Sequence, residues 1–327
     1  MNTVRKIQST PSGTVFVCLP KAWAEQYSVN KGSFVAISET EGGKLVIDPR
    51  HDVEPLPHSI TLTPGPYLNR EIIGTYLLGF DIIRVEPKTR ISFEVRDTVK
   101  SAVNRLIGLE IVEEDNSKIV LQCLLEPSSF PPEKILRRGY SIAAGMHRDV
   151  TNAFLDGDVQ LARNVVARDD EGNRLYFLLV RILRTIVQNP GLSEKLGATP
   201  IECLDYRLVA SLVEAIGDEG VRIARKVIEL KGVKLAEELR KQFVDFHLAC
   251  FETHEGALNA FLTANVELAE GVRAKHEKME KTFTNIEKIA REQSLDVVPQ
   301  ILAVASFLRQ IYEHSVDIAD LVIPKKD

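Results

Sequence analysis

The stretch that decides the fold is DVQLARNVVARDDEGNRLYFLLVRILR, residues 158–184. At 3.6 residues per turn, Ala162, Val165, Val166, Tyr176 and Val180 fall within about 60° of one line. That is the apolar stripe of a packed helix. Asp169 and Asn173 fall on the same stripe. A carboxylate on a packing face is costly unless it is paired, hydrogen-bonded or metal-bound. Arg163, Arg174 and Arg181 gather on another face, which reads as solvated.

The stretch recurs. Val159, Leu161 and Ala162 match Val266, Leu268 and Ala269 at an offset of 107. Further on, Val209-Ala210-Ser211, Ile216, Val221 and Ile223-Ala224 of LVASLVEAIGDEGVRIA (208–224) recur in AVASFLRQIYEHSVDIA (303–319) at an offset of 95. The difference between the offsets fits a longer helix-to-helix loop, NPGLSEKLGATP, in the first copy. Duplication of this kind predicts two three-helix units, 131–229 and 232–322, packed as an elongated all-α bundle.

In the first unit Glu214 and Asp218 are four apart and share a face, as Asp169 and Asn173 do. Two acids from each of two packed helices can converge on one hard cation, because oxygen ligands suit divalent ions and iron. Asp170 can lend another oxygen. The alternative is a salt-bridged, solvated stripe, with Arg207 and Arg225 along the face of Glu214 and Asp218 and with Arg222 four residues after Asp218. In the second unit His276 and Glu280 replace Asp169 and Asn173, with Glu277 at the Asp170 position. Arg309 and Glu313 replace Glu214 and Asp218. An Arg in the ligand set repels a cation, so a salt-bridge network is expected there, Arg309 pairing with Glu277 or Glu280.

The rest of the chain reads differently. Residues 1–50 hold short β-rich runs, TVFVCLP, GSFVAIS and KLVIDP, and a short helix, KAWAEQYS, after Pro20. They carry six Lys/Arg against four Asp/Glu, in a chain of net charge −5. The polar, proline-bearing DPRHDVEPLP follows as a linker. Residues 58–127 alternate. SITLT, DIIRVEP and RISFEVR read as strands, YLNREIIGTYLLG and DTVKSAVNRLIG as helices, and LEIVEED with SKIVLQCLL as a hairpin. This predicts an α+β module with an antiparallel sheet. The whole is a multidomain α+β chain, in keeping with 327 residues.

No apolar run approaches the roughly 20 residues needed to span a bilayer. The start lacks a signal-peptide core. The four cysteines are far apart and show no CxxC spacing, which favours reduced thiols in a cytoplasmic protein. There is no GxGxxG, P-loop, HExxH or GxSxG, and the seven histidines are scattered. No catalytic role is expected.

RDDEGNRL followed by LVEAIGDEGVRIA, in a duplicated three-helix unit, resembles the PhoU family of phosphate-signalling proteins over about residues 131–322. The resemblance implies E/DxxxD motifs that hold metal clusters. Glu214-xxx-Asp218 matches fully, and Asp169-xxx-Asn173 with one acid changed to amide. It implies a divalent or iron-type ion at Asp169, Asp170, Asn173, Glu214 and Asp218, and a phosphate transporter or phosphate-signalling protein as partner. VRKI, SGTVFVCLPKAWA, VNKGSFVAI and GKLVIDP resemble AbrB/SpoVT-type domains, whose swapped hairpins interlace two chains into one small barrel. That resemblance implies a homodimer, with Arg5, Lys6 and Lys21 contacting DNA. The two together are similar to archaeal phosphate-uptake regulators. The function implied is a phosphate-responsive transcriptional regulator of phosphate uptake. The alternative is a protein-interaction adaptor of a transporter in which the head only dimerises.

Overall fold

The computed structural model describes residues 4–39, 43–49, 57–230 and 235–324. The chain divides into two compact units, Met1–Pro57 and His58–Asp327. The linker read at DPRHDVEPLP lies largely outside the described residues.

In the first unit β1 (Gln8–Ser9) pairs antiparallel with β2 (Val15–Phe16). Gly13 turns the chain between them at φ 89°, a conformation open to glycine at no steric cost. The helix α1 (Lys21–Gln26) follows Pro20. Then β3 (Ala36–Glu39) pairs antiparallel with β4 (Leu45–Asp48). These are two separate two-stranded sheets. No described residue of the unit is buried. Val4, Ile7, Ile37 and Leu45 are 97%, 67%, 61% and 68% exposed.

The second unit begins with a four-stranded sheet in the order β5-β6-β8-β7: β5 (Ser59–Leu62), β6 (Ile82–Val85), β7 (Leu109–Glu114) and β8 (Ile119–Cys123). The sheet is not wholly antiparallel. β5 and β6 run parallel, because the helix α2 (Leu68–Leu77) carries the chain back to the same end between them. RISFEVR is not a strand. Its alternating Ile, Phe and Val mimic one, but the Ser92 side chain accepts a bond from the Val95 N–H at 3.3 Å and starts the helix α3 (Phe93–Asn104). Phe93 is left exposed on the first turn. Leu68, Ile72 and Tyr76 of α2 and Val99 and Ala102 of α3 cover Ile83, Val85 and Leu121 of the sheet.

The bundle follows. Its first copy comprises α4 (Pro132–Asp156), α5 (Val159–Gln188), α6 (Pro190–Leu196) and α7 (Pro200–Leu230). Its second comprises α8 (Glu237–Thr263), α9 (Val266–Arg273), α10 (His276–Ala290) and α11 (Val298–Asp320). The stretch NPGLSEKLGATP, read as a loop, holds the short α6. Where α5 is continuous, its counterpart is broken into α9 and α10. The caps repeat in register. Gly157 and Ala264, 107 apart, both end a helix in the left-handed conformation, at φ 68° and 51°. Asp158 and Asn265, also 107 apart, both cap the next helix, accepting from Leu161 and Leu268 N–H at 2.9 and 3.0 Å.

Arg181 is not solvated. It is 3% exposed. From α5 it donates to the carbonyls of Tyr76 and Phe80 at 2.7 and 2.9 Å, pairs with Asp81 at 3.2 Å and lies 4.9 Å from the Tyr76 ring centre. It satisfies carbonyls at the open end of α2 and so fastens the sheet module to the bundle.

Candidate functional site

The residues singled out on the first repeat come together. α4, α5 and α7 pack on one another, and a cleft opens between them. It holds about 440 Å³ of space, part of it open to solvent. Its walls are apolar, with Ile142, Met146, Leu175, Leu179 and Val213 among them. Asp169, Asn173 and Glu214 supply its carboxylate and amide groups, and Tyr176 lines it as well. Gly139 of α4, Gly172 of α5 and Gly217 of α7 also line it.

Asn173 donates from its amide to Asp169 at 3.0 Å, the four-residue spacing acting along one helix face. Burial first, then the charge of Asp218, pushes the Asp169 carboxyl above its ordinary value, against the bond from Asn173. Burial first, then Asp218 and Asp169, pushes Glu214 up as well, with Arg207 opposing. The acids of α5 and α7 therefore repel one another in a half-buried setting. Asp170 is exposed beside them and adds to the field on Asp169.

The arginines of the face act on these acids through their fields, Arg225 on Asp169 and Arg207 on Glu214, and among the described residues they form no ion pair with them. Arg222 pairs with Glu219 at 2.8 Å rather than with Asp218. Arg207 lies 4.9 Å from the Tyr176 ring centre. The donor set is one of hard oxygens, suited to a divalent ion. Among the described residues, however, no three His, Cys, Asp or Glu side chains are gathered as a ready cage.

The second repeat differs. Arg309 pairs with Glu280 at 2.8 Å and Glu313 at 3.3 Å, and its guanidinium lies 5.2 Å from the Phe283 ring centre. Of the two partners expected for Arg309 it takes Glu280. Glu277 pairs with Lys281.

In the first unit Arg5 and Lys6 are exposed just before β1. Lys21 opens α1, fully in solvent, with Glu25 at 3.6 Å.

The reading of the sequence missed a buried polar chain. His147 of α4 shares hydrogen bonds of 3.1 Å with two histidines of α8, its Nδ1 with Nε2 of His254 and its Nε2 with Nδ1 of His247. The Tyr140 hydroxyl and Nδ1 of His254 are 2.8 Å apart. Burial, foremost, holds His247 down at about 4 and His254 at about 3, and His147 well below its ordinary value. All three are thus neutral at pH 7. The repeat offset was the available signal: His147 and His254 are 107 apart, and so are Tyr140 and His247.

A duplicated helical unit with acids facing each other across two helices of its first copy defines a class of two-repeat helical bundle. The PhoU domain family matches residues 136–227 and 246–322, just over half the chain, and the chain belongs to that family. Among solved structures, PhoU from Pseudomonas aeruginosa is similar at 20% identity, over 59% of this chain and 93% of that one, with a TM-score of 0.53. The phosphate transport system regulatory protein PhoU from Streptococcus pneumoniae is similar at 18% identity, over 58% and 91% of the two chains, with a TM-score of 0.48. No curated protein matches. The residues before 136, with the first unit and the sheet module, lie outside the family match.

Proposed function

We propose that the protein is a cytoplasmic, homodimeric regulator of phosphate uptake that contacts DNA through its first unit and docks a phosphate-transport partner through its bundle. One observation carries the dimer: a unit with two hairpins, exposed apolar side chains and no buried residue among those described. An isolated two-stranded hairpin is marginal in water. A second copy interlaced as in AbrB/SpoVT-type barrels supplies the missing core. Arg5, Lys6 and Lys21 then stand on the assembled head as phosphate contacts. Among the described residues, no helix is long and apolar enough to cross a membrane.

Asp169, Asp170, Asn173, Glu214 and Asp218 are assigned as ligands of a hard divalent or iron-type ion. The mutual repulsion of three of these acids supports this, since a cation would relieve it. Replacing Glu214 and Asp218 with alanine together should lower the metal bound after dialysis and leave the helical content unchanged. Equal metal in variant and parent would overturn the assignment.

A second reading has its own support. Lys21 already faces Glu25, and the bundle offers a built cleft. In that reading the head only dimerises and the protein is an adaptor of a phosphate transporter.

Salt-titrated binding of the full-length protein to a phosphate-transporter promoter fragment, against random DNA of equal length, separates the two. Tighter, steeply salt-dependent binding to the promoter, lost without residues 1–50, supports the regulator. No binding at low salt, with a dimer in sedimentation, leaves the adaptor.

A further inference from the structure

The two repeats can be compared position by position across the cleft. At the offset of 107 on α4 and α5, and of 95 on α7, the glycines Gly139, Gly172 and Gly217 correspond to Phe246, Met279 and Tyr312. These three are 0%, 1% and 1% exposed. The register is secured by the matched caps at Gly157 and Ala264. It is secured again by neighbours: Gly217 stands beside Ala143, and Tyr312 lies near Cys250, the counterpart of Ala143. The second repeat therefore fills with three large side chains the space that the first leaves open.

Nothing local requires glycine at the three positions. None has a positive φ. A Cβ would meet nothing within 4 Å at Gly139, Ile142 at 4.0 Å from Gly172, and Ala143 at 3.8 Å from Gly217. Glycine in a helix interior is unfavourable, so the absence of side chains there is a feature of the cleft and not of the backbone.

Charge divides the repeats in the same way. Arg309 of the second repeat stands at the position of Glu214 and balances Glu280 and Glu313. The first repeat has an acid, Glu214, at that position, and among the described residues no ion pair joins Asp169 or Glu214 to a cation. It lacks two things that the second repeat supplies from within: an aromatic filler and a positive charge beside it.

We propose that this cleft is the docking pocket for a segment of a partner protein that carries an aromatic side chain next to a lysine or arginine. The aromatic ring takes the space over Gly139, Gly172 and Gly217. The cation sits at the mouth between Asp169 and Glu214, where it competes with the metal ion assigned to those acids, so the peptides are measured on chelator-dialysed protein. An aromatic ring in a desolvated pocket beside a charge-assisted pair is the usual composition of a binding hot spot. The pocket belongs to the bundle alone, so it stands whether or not the head touches DNA.

The test uses the full-length protein and synthetic peptides with a single central Tyr, Phe or Ala, flanked either by Lys or by Glu, read by fluorescence anisotropy. Lys-flanked Tyr and Phe peptides should bind at least about tenfold tighter than Lys-flanked Ala or Glu-flanked Tyr peptides, the effect of one well-made contact. Gly217→Tyr, which copies the second repeat, should lose that tenfold. Asp169→Asn with Glu214→Gln should lose the preference for Lys flanks and keep the preference for a ring. Gly139→Phe is the second variant should Gly217→Tyr fail to fold by circular dichroism. Equal binding of Tyr- and Ala-centred peptides overturns the proposal, as does undiminished binding by a folded, filled variant.

Discussion

The two repeats share caps and register, yet they use the same positions in opposite ways. The second puts Phe246, Met279 and Tyr312 into its core and neutralises its acids with Arg309. The first leaves a cleft bordered by Asp169 and Glu214. One copy is consolidated for stability, and the other keeps unfilled volume and unbalanced charge. Since both lie in one chain, solvent and composition cannot explain the difference. It is local, and single substitutions reach it.

The most damaging way to break the comparison is to hollow out the second repeat. Tyr312→Gly removes a fully buried ring, and by chemical denaturation it should cost about 4 kcal/mol. Tyr312→Phe should be neutral within about 1 kcal/mol, because the hydroxyl has no hydrogen-bond partner to lose. A large loss from the phenylalanine variant would show that the hydroxyl, and not the packing, holds the site.

Next comes the seam between α4 and α8. His247 and His254 are held in the folded protein at about 4 and about 3, below their unfolded value. The unfolded chain then binds more protons, so stability is fully present above about pH 6.5 and falls as the pH drops toward 4. His247 alone accounts for roughly 3 kcal/mol across that window. Arg148, whose charge disfavours protonation of all three histidines, adds to the slope. A His247→Phe variant should lose part of this pH dependence in denaturant midpoints taken from pH 7 to pH 4. A parallel curve would exclude His247 as a source.

A smaller effect is expected from Arg309→Glu, which gives the second repeat the charge pattern of the first. It leaves Glu280 and Glu313 without their cation and should cost about 1 kcal/mol in denaturant midpoints, less at high salt. Smallest are Gly139→Ala, Gly172→Ala and Gly217→Ala. Each should stabilise by about 0.5–1 kcal/mol in thermal or chemical unfolding, because each methyl meets no obstacle and removes a helix-interior glycine. A loss at all three would mean that the cleft is tighter than its geometry shows.

Much of this was legible in the sequence, for an identifiable reason. Duplication is written in fixed offsets, and a helix converts spacing into shared faces. So the helical bundle, the meeting of Asp169 and Asn173 with Glu214, and the Arg309–Glu280 pair could all be read from periodicity. What failed was whatever depended on a partner distant in sequence. Arg181 sits on a polar face of α5 when that helix is viewed alone, and only the packing of α2 against it makes the face interior. The parallel pairing of β5 with β6 follows from where α2 delivers the chain, which alternation of residues does not encode. Ser92 was a local signal that the alternation of Ile91, Phe93 and Val95 masked. The histidine chain and the three glycines lay within reach, because the offset that revealed the repeats, applied to residues other than the apolar ones, aligns Tyr140 with His247 and each glycine with a large side chain.

The histidine chain carries one more consequence. Exchange of the repeats turns the Tyr140–His254 link into the His247–His147 link and returns the central His147–His254 link to itself. The exchange matches residues and not ring nitrogens, since the central bond joins Nδ1 of His147 to Nε2 of His254. A neutral imidazole has one donor and one acceptor, so the chain can be filled in two directions. In one, the phenol donates and each ring passes a proton on toward His247. In the other, every ring is turned to its second tautomer. The central hydrogen atom belongs to His254 in the first filling and to His147 in the second. The direction in which the chain is filled thus decides which repeat holds the proton at the seam between α4 and α8.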